Sequence, residues 1–442
     1  MKTPIAILGG KLAGTTSKMI GRNGNNIPGV VARKVDSDLL RKLAAQVKHI
    51  VFVTGTNGKT TVSNLLTSIL RADGKKVLSN SAGDNLITGI TAAFLKEADW
   101  KGKIPYDYAV IEVDELTTVR ALKEIQPEAI VVNNFFRDQL ERIGEIDILV
   151  DKIAQAIKPV QTSLVLNADD PFVARLGELK KNNIFYGLHK DAFSFVQFDV
   201  SESKFCHRCG TELLYNHVHY GQLGYFECTC GFKRPAVTYE IEKIHQMTSV
   251  DDRLAFNING RRYTTNLLGY FNVYNILAAV AGAQTMNVSE EAIQRGLDAY
   301  HSENGRMQLL DHKEYRQIIN LVKNPAGVNI TLSEVLQSPN ENRMVFFLND
   351  LQYDARDISW IYDADFERMA GSNLTEIVCS GTRAYDIALR MKYAGIDEKK
   401  LVIRESKEEA ITYCLENPKE TYFLPTYTAL EPVRKYLEYS LK

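Results

Sequence analysis

One short segment constrains the fold of this chain more than any other. The apolar run HIVFV, residues 49–53, leads directly into TGTNGKTT, residues 54–61, and a helix-like pattern follows at once in TTVSNLLTSILRADG. A strand, a glycine loop and a helix in that order are typical of a parallel sheet that binds phosphate groups where the loop meets the helix. The segment therefore predicts an α/β nucleotide-binding domain.

The glycine loop carries the residue types that a nucleoside triphosphate needs. Glycine lets successive backbone N–H groups point into one concavity, Lys59 can reach the β and γ phosphates, and the Thr60 hydroxyl can bind Mg²⁺. Valine stands at position 53, where the usual motif has a further glycine, so the loop is a shortened relative of that motif. The alternative is a plain glycine turn with a solvated lysine. The predicted nucleotide-binding residues of the loop are Gly55, Thr56, Asn57, Gly58, Lys59, Thr60 and Thr61.

Acidic side chains follow a second apolar run, YAVIEVDE. Glu112 and Asp114 share one strand face there, and Glu115 is placed to begin the following helix. We expect Glu112 to bind Mg²⁺ or to orient a water molecule, since a metal-bound triphosphate needs oxygen ligands at a neighbouring strand end. A charged residue that merely ends a strand beside solvent is an equally good interpretation.

Apolar runs and helical patterns alternate along most of the chain, which predicts parallel sheets covered on both faces. A chain of 442 residues is too long for one core. We expect a basic N-terminal extension over residues 1–46, with a helix from Val35 to Val47, packed on a nucleotide-binding domain over residues 47–300. A C-terminal α/β domain of the Rossmann type over residues 301–442 completes the prediction.

The overall charge excludes partners that are held by a chain-wide field. Lys and Arg total 53 against 54 Asp and Glu, a formal net charge of −1. Such a balance does not draw a whole chain to nucleic acid or to an anionic membrane. No stretch approaches the roughly 20 apolar residues of a spanning helix, so we expect a cytoplasmic chain whose cysteines stay reduced.

Four cysteines form two close pairs, C-x-x-C and C-x-C, within an aromatic and strand-like segment at about residues 203–234. This spacing predicts a tetrahedral, structural Zn²⁺ site, with Gly210 and Gly231 permitting the tight turn after each pair. Free thiols or redox-active pairs are the alternatives. The two remaining cysteines, Cys379 and Cys414, lie in apolar patterns, so we expect them to be buried and unreactive. The predicted zinc ligands are Cys206, Cys209, Cys228 and Cys230.

The order of the motifs GTNGKTT, EVDE, NNFFRDQLERIGEID, LNADDP and GYFNVYNILAA resembles the central ATPase domain of the Mur ligase family. The cysteine segment inserted in that domain, GRMQ, NLVKNPAG and the stretch around ARDISW further resemble the branch of that family that amidates the lipid II stem peptide. The resemblance spans essentially the whole chain. It implies an ATP-dependent ligase of peptidoglycan synthesis that forms an acyl phosphate on the α-carboxyl of D-glutamate and converts it to D-isoglutamine.

The resemblance also implies roles for particular residues. Asn272, Asn275 and Arg306 would contact the nucleotide, and Lys59 and Glu112 would act in catalysis with ATP and Mg²⁺. Ammonia would come from a GatD-type glutaminase partner, since this chain shows no cysteine nucleophile of its own. Asp357 would reach into the active site of that partner, although Asp350 or Asp354 could take the role. The chain would act at the inner face of the membrane.

Three positions differ from the members that add a whole amino acid. Gln139 stands where they have a metal-binding histidine, and Asn320 and Lys323 replace an aspartate and a histidine. These differences favour amidation over amino-acid addition. Two other functions stay open: a self-sufficient amino-acid or polyglutamate ligase, and a zinc-ribbon ATPase that binds nucleic acid with Lys233 and Arg234.

Overall fold

The computed structural model describes residues 2–19, 26–80, 84–137, 145–192, 203–245, 253–269, 272–302, 305–310, 315–338, 340–354, 356–370, 372 and 374–441. These residues form two compact units. The first unit comprises Met1–Asn266 and Val273–Tyr300, and the second comprises Leu267–Asn272 and His301–Lys442.

The first unit is built on a sheet that has nine strands within the described residues, in the order β11-β10-β9-β6-β5-β4-β1-β3-β2. The strands from β2 to β9 along this order pair in parallel, and β10 and β11 continue the sheet as antiparallel strands. The strands are β1 (His49–Thr54), β2 (Val77–Ser79), β3 (Tyr108–Glu112), β4 (Ala129–Val132), β5 (Ser163–Asn167), β6 (Asn183–Leu188), β9 (Tyr239–His245), β10 (Leu254–Ile258) and β11 (Arg261–Thr265).

Helices cover both faces of this sheet, which explains why its central strands are apolar along their whole length. Val51, Phe52 and Val53 of β1 are all buried, as the uninterrupted run HIVFV predicts. The helices of the first unit are α1 (Lys2–Met19), α2 (Ile27–Val35), α3 (Leu39–Ala44), α4 (Lys59–Ala72), α5 (Ile87–Glu97), α6 (Glu115–Ala121), α7 (Ile146–Ile157), α8 (Pro171–Ala174), α9 (Asn272–Gln284, with its first residue in the second unit) and α10 (Glu290–Ala299).

The N-terminal segment differs from its prediction. The single expected helix from Val35 to Val47 is wrong, because one helix ends at Val35 and a short one runs from Leu39 to Ala44. The buried Asp36 at the break accepts hydrogen bonds from Thr3 and Lys42, which fixes the chain in a turn. Leu39, Leu40 and Leu43 are nevertheless buried in the core, so the apolar pattern marks the packed face correctly.

The cysteine segment forms a small ribbon inserted between β6 and β9. Its hairpin pairs β7 (Leu214–Tyr220) with β8 (Leu223–Glu227) in antiparallel register. A small core of its own contains Cys206, Leu213, Phe226 and Phe232 together with Ala174 at the end of α8. The ribbon therefore packs against the rest of the first unit near α8.

The second unit is a separate α/β layer structure. Its sheet has six strands within the described residues, in the order β12-β13-β17-β14-β15-β16, and all neighbours are parallel except β12 and β13. The prediction of an α/β fold with parallel sheets and a four-cysteine insertion is thus confirmed. The elements are β12 (Gln308–Leu310), β13 (Gln317–Ile319), α11 (Pro325–Gln337), β14 (Asn342–Phe347), β15 (Leu374–Ser380), α12 (Ala384–Tyr393), β16 (Leu401–Ile403), α13 (Lys407–Glu416), β17 (Glu420–Pro425) and α14 (Tyr427–Ser440).

Candidate active site

The phosphate loop joins the carboxyl end of β1 to the amino end of α4, at the edge of the sheet where ligands of parallel sheets bind. Strand register determines its neighbours. Val53 pairs with Glu112 of β3 on one side, and Thr54 pairs with Val132 of β4 on the other. The acidic run after β3 and the asparagines after β4 therefore flank the loop.

Two glycines of the loop have no room for a side chain. Gly55 and Gly58 both have positive φ, at 127° and 84°. A Cβ at Gly58 would lie 2.0 Å from Oδ1 of Asn275, and one at Gly55 would lie 2.8 Å from the carbonyl oxygen of Asn134. The conformation and the close approach together require glycine at both positions.

Asparagine side chains hold the loop from outside. The backbone N–H of Asn57 donates to Oδ1 of Asn134 at 2.9 Å, and Nδ2 of Asn133 donates to the carbonyl oxygen of Asn57 at 2.8 Å. The same Nδ2 of Asn133 donates to Oδ1 of Asn275 at 2.8 Å. The structure thus brings Asn275, which belongs to the distant helix α9, against the loop at Gly58.

Lys59 lies beneath the loop. Its side chain is nearly buried, and its ammonium donates to the carbonyl oxygens of Gly55 and Thr56. It also forms an ion pair with Oε2 of Glu115 at 3.2 Å. Glu115 begins α6, as the sequence predicts, but its pairing with the lysine is visible only in three dimensions.

Glu112 ends β3 as a buried carboxylate with a restrained backbone. Oδ1 of Asn80 accepts from the N–H of Glu112, and Nδ2 of Asn80 donates to the carbonyl oxygen of Glu112, both at 2.8 Å. Nδ2 of Asn85 donates to Oε1 of Glu112 at 2.9 Å. Within the described part of the chain, Oε2 of Glu112 and Oε1 of Glu115 are buried without a hydrogen-bond partner. A buried, unsatisfied carboxylate oxygen is costly.

A hard divalent cation would satisfy a buried carboxylate oxygen of this kind. Mg²⁺ prefers one or two carboxylates together with phosphate oxygens and water. Glu112 is placed beside the phosphate loop by strand register, and Thr60 lies in the first turn of α4, directly after the loop. These residues match the requirements of a magnesium site next to a bound triphosphate.

The tip of the ribbon hairpin reaches the same region, which the sequence does not predict. Nε2 of Gln222, a fully buried side chain, donates to the carbonyl oxygen of Phe135 at 2.6 Å. Phe136 exchanges hydrogen bonds with Thr56 of the loop through the threonine hydroxyl. The insertion therefore contacts the segment that holds the phosphate loop, and no local motif around Gln222 could have signalled this.

A buried carboxylate also anchors the ribbon to the sheet. Asp169, after β5, accepts hydrogen bonds from Nε of Arg234 at 2.6 Å and from the hydroxyl of Tyr274 at 2.7 Å. His219 of the hairpin lies beside it, and burial lowers the pKa of this histidine to about 4, so its ring is neutral at physiological pH. Arg234 is largely buried in this cluster.

The four cysteines of the ribbon converge as predicted. Their sulfur atoms all lie within 4.8 Å of one another, and Sγ atoms of Cys206 and Cys230 are 3.5 Å apart. A zinc–sulfur bond of about 2.3 Å in a tetrahedron implies sulfur atoms roughly 3.8 Å apart, so the donor set fits Zn²⁺. Hydrogen bonds from Thr211 lower the pKa of Cys209 to about 6, whereas burial raises the pKa of Cys206 to about 11, so the converging positions of the sulfur atoms carry the metal assignment. Cys379 and Cys414 are buried, as expected.

The second unit holds the remaining predicted residues. Asp357 is exposed, and its Oδ1 accepts a hydrogen bond from the N–H of Ser359 at 2.8 Å, which lowers its pKa. Asp354 is buried against Thr428, and Asp350 pairs with Arg383. Arg306 is half-buried just before β12, and Asn272 bonds the carbonyl oxygen of Leu268. Gln139 lies outside the described residues.

Comparison with known proteins explains this combination of parts. The chain is 42% identical over 98% of its length to the MurT subunit of lipid II isoglutaminyl synthase (glutamine-hydrolyzing) from Staphylococcus aureus strain COL, covering 97% of that protein. It belongs to the MurT family. The MurT subunit of Streptococcus pneumoniae strain R6 is 34% identical over 99% of the chain and is covered to 97%.

Family models agree with this MurT assignment. The Mur ligase middle domain matches residues 53–227, and the MurT ligase C-terminal model matches residues 321–430. The resemblance to Mur ligases that the motifs indicate is thereby confirmed. Within the part of the chain that the structure describes, no helix is long and apolar enough to cross a membrane.

Solved structures show that this chain shares the fold of the Mur ligases. A pseudomurein peptide ligase type C from Methanothermus fervidus superposes with a TM-score of 0.65 at 26% identity, covering 89% of this chain and 79% of that one. The MurF ligase from Thermotoga maritima in complex with ADP gives a TM-score of 0.66 at 14% identity, covering 92% and 84%.

Proposed function

We propose that this chain is the synthetase subunit of a glutamine-dependent amidotransferase that acts on lipid II. It would use ATP to activate the α-carboxyl of D-glutamate in the stem peptide and convert it to D-isoglutamine. The similarity to MurT subunits over almost the whole chain carries this proposal. The phosphate loop with its buried carboxylates supplies the parts that the chemistry needs.

A carboxylate must be phosphorylated before ammonia can displace one of its oxygens. A carboxylate oxygen of the substrate attacks the γ-phosphorus, the bond to the β-phosphate oxygen breaks, and ADP leaves. Ammonia then attacks the acyl carbon, phosphate leaves with its oxygen, and the nitrogen loses a proton. Charge develops on phosphate oxygens throughout the first step, so fixed N–H donors and cations lower its barrier.

The loop residues would stabilise this charge on the phosphate oxygens directly. The backbone N–H groups from Gly55 to Thr61 and the amino end of α4 would cradle the phosphates, and Lys59 would exchange the carbonyl oxygens it now binds for phosphate oxygens. Glu112 and Thr60 would hold Mg²⁺, which screens phosphate charge when bound. Asn275, which lies against the loop, would contact the nucleotide. The nucleotide contacts of Asn272 and Arg306 stay predictions from the resemblance alone.

Ammonia would be delivered by a GatD-type glutaminase that binds the second unit. Of the three candidate aspartates, Asp357 is the exposed one, whereas Asp354 and Asp350 are engaged within their own unit. We therefore infer that Asp357 orients the glutaminase histidine. Exposed aromatic side chains on this unit suit a protein interface: Tyr353, Tyr362, Tyr385 and Tyr393.

The four cysteines would hold a structural Zn²⁺. All four tetrahedral positions would be filled by sulfur, which leaves no position for water or substrate. The metal would therefore stabilise the ribbon and take no part in amidation. Metal analysis of the purified chain should find one zinc, and chelation should lower the unfolding temperature.

The competing functions make different predictions. A self-sufficient amino-acid ligase would release phosphate with ATP, acceptor and a free amino acid in the absence of glutamine and partner. A nucleic-acid-binding ATPase needs a basic surface, but Arg234, one of its two candidate contacts, is buried in an ion pair with Asp169. The amidotransferase is therefore favoured.

Co-expression with a GatD-type glutaminase tests the proposal. Mass spectrometry of the stem peptide should find an amide in place of one carboxyl group only when the chain, the partner, ATP and glutamine are all present. Asp357→Asn should impair this reaction with glutamine as nitrogen source and spare it with ammonium salts. If the variant lost activity equally with both nitrogen sources, the role of Asp357 would be refuted. The proposed amidation by the parent complex would not be contradicted.

A further inference from the structure

The outward face of α1 carries aliphatic side chains that its own unit leaves about half exposed. Ile5, Leu8 and Leu12 are 60%, 48% and 57% exposed, and their spacing places them on one side of the helix. On the opposite side, Ala6 and Ile7 are buried in the core. Packing within the unit therefore explains one face of this helix and leaves the other unexplained.

A tryptophan lies beside this face. Trp100 is 63% exposed, and Nζ of Lys11 on α1 lies 5.1 Å from the centre of its ring. The same ammonium donates to the carbonyl oxygen of Ala98, which holds the lysine next to the indole. Tryptophan and lysine beside aliphatic side chains are the composition that suits the boundary between lipid and water.

The N-terminal segment carries charge of one sign, although the exposed Asp99 precedes Trp100. Residues 1–35 contain six Lys and Arg and no Asp or Glu, although the whole chain carries a net charge of −1. Lys2 and Lys34 are exposed, whereas Arg33 is paired with Glu124. A basic segment with an aliphatic face complements an anionic lipid surface, since both the charge and the apolar area find a counterpart there.

We propose that the outward face of α1, formed by Ile5, Leu8 and Leu12, docks on an anionic bilayer together with the adjacent Trp100. This inference rests on the proposed function only in that a lipid-linked acceptor lies in such a bilayer. A polyanion such as nucleic acid would satisfy the lysines and leave the aliphatic side chains in water. Three aliphatic side chains and one indole give a weak, reversible attachment that brings the enzyme to its acceptor without anchoring it.

Vesicle sedimentation of the full chain tests the docking. The chain should pellet with vesicles of phosphatidylglycerol and phosphatidylcholine in equal amounts, and should stay in solution with phosphatidylcholine alone or at high salt. Leu8→Ser combined with Leu12→Ser should weaken binding by about fivefold or more. Leu389→Ser on α12 is the matched control, because Leu389 is also 48% exposed, and it should bind like the parent chain.

Three results would overturn the proposal: no sedimentation of the parent chain with anionic vesicles, equal sedimentation of the double variant, or self-association of the chain through this face in solution. The complex with the glutaminase then separates this proposal from the proposed function. The double variant should amidate a lipid-free stem peptide at the parental rate and a bilayer-embedded acceptor more slowly. Parental rates on both acceptors would also refute docking, whereas loss of amidation in the parent complex would refute the proposed function instead.

Discussion

Buried carboxylates occur in both units of the molecule, and their surroundings differ. In the second unit, Glu420 of β17 accepts hydrogen bonds from Ser338, Asn340 and Tyr422 and pairs with Arg316 at 3.0 Å. Both of its oxygens are thus satisfied. In the first unit, Glu112 and Glu115 each bury one oxygen that no described residue satisfies.

This difference distinguishes a carboxylate that supports the fold from one that can bind a ligand. A fully satisfied buried carboxylate fixes the position of neighbouring elements, whereas an unsatisfied one stores unfavourable free energy that a cation can relieve. The two sheets are of the same type, so the contrast lies in the side chains at the strand ends. Substitutions at Glu112 and Glu420 test this difference directly.

Lys59→Ala should have the largest effect on turnover. Removing the ammonium beneath the phosphate loop should lower ATP-dependent amidation by about 100-fold or more, because the charge developing on the phosphates loses its nearest cation. Complex formation with the glutaminase should be unchanged. Lys152→Ala, an exposed lysine of α7, is the matched control, and near-normal turnover in Lys59→Ala would contradict the phosphate assignment.

Glu112→Gln should come next. We expect turnover to fall by about 10- to 100-fold and the Mg²⁺ concentration for half-maximal rate to rise, since a neutral amide is a poorer magnesium ligand than a carboxylate. The unfolding temperature measured without Mg²⁺ should not fall, because the substitution removes an unsatisfied buried carboxylate oxygen. A large loss of stability with unchanged magnesium dependence would place Glu112 among the scaffold residues.

Gln222→Ala should have a smaller and more selective effect. The loss of its hydrogen bond to the carbonyl oxygen of Phe135 should raise the KM for ATP by about 3- to 10-fold and change kcat less, because the segment that holds the phosphate loop loses one restraint. Asn216→Ala, on the exposed part of the same hairpin, should leave the KM unchanged. Equal effects of both variants would mean that the ribbon acts only through overall stability.

Glu420→Gln should change turnover least and stability most. The substitution leaves charged and polar partners without their carboxylate, which should cost about 1–3 kcal/mol of unfolding free energy while the folded protein turns over normally. A loss of turnover comparable to that of Glu112→Gln would break the contrast between the units.

The pH dependence of stability tests the scaffold role of Glu420 without any change in the candidate active site. Burial raises the pKa of Glu420, but hydrogen bonds from Ser338 and Asn340 and the charge of Arg316 outweigh it, so the net pKa is lowered. A lowered pKa in the folded state stabilises the protein above the unfolded value of about 4.3 and loses that contribution as pH falls below it. Above that pH, Glu420→Gln should therefore have a lower free energy of unfolding than the parent chain. This free energy should also fall less steeply as the pH is lowered.

Local motifs predicted the loop, the cluster of four cysteines and the type of fold, because each depends on residues close together in the chain. Glu115 was placed correctly at the start of α6, but its pairing with Lys59 depends on the neighbouring positions of β1 and β3 in the sheet. Gln222 was missed altogether, since its partner lies 87 residues earlier. The helix expected from Val35 to Val47 failed for a local reason, the buried Asp36, whose partners Thr3 and Lys42 no periodic pattern reveals.

Asn275 is 142 residues away from the asparagine that it meets behind the phosphate loop. During synthesis, β1 and the loop leave the ribosome long before this helix does. A nascent chain that has been made only as far as the ribbon therefore lacks the side chain that packs behind the loop. The loop can gain this last support only after the helix that carries Asn275 has been made.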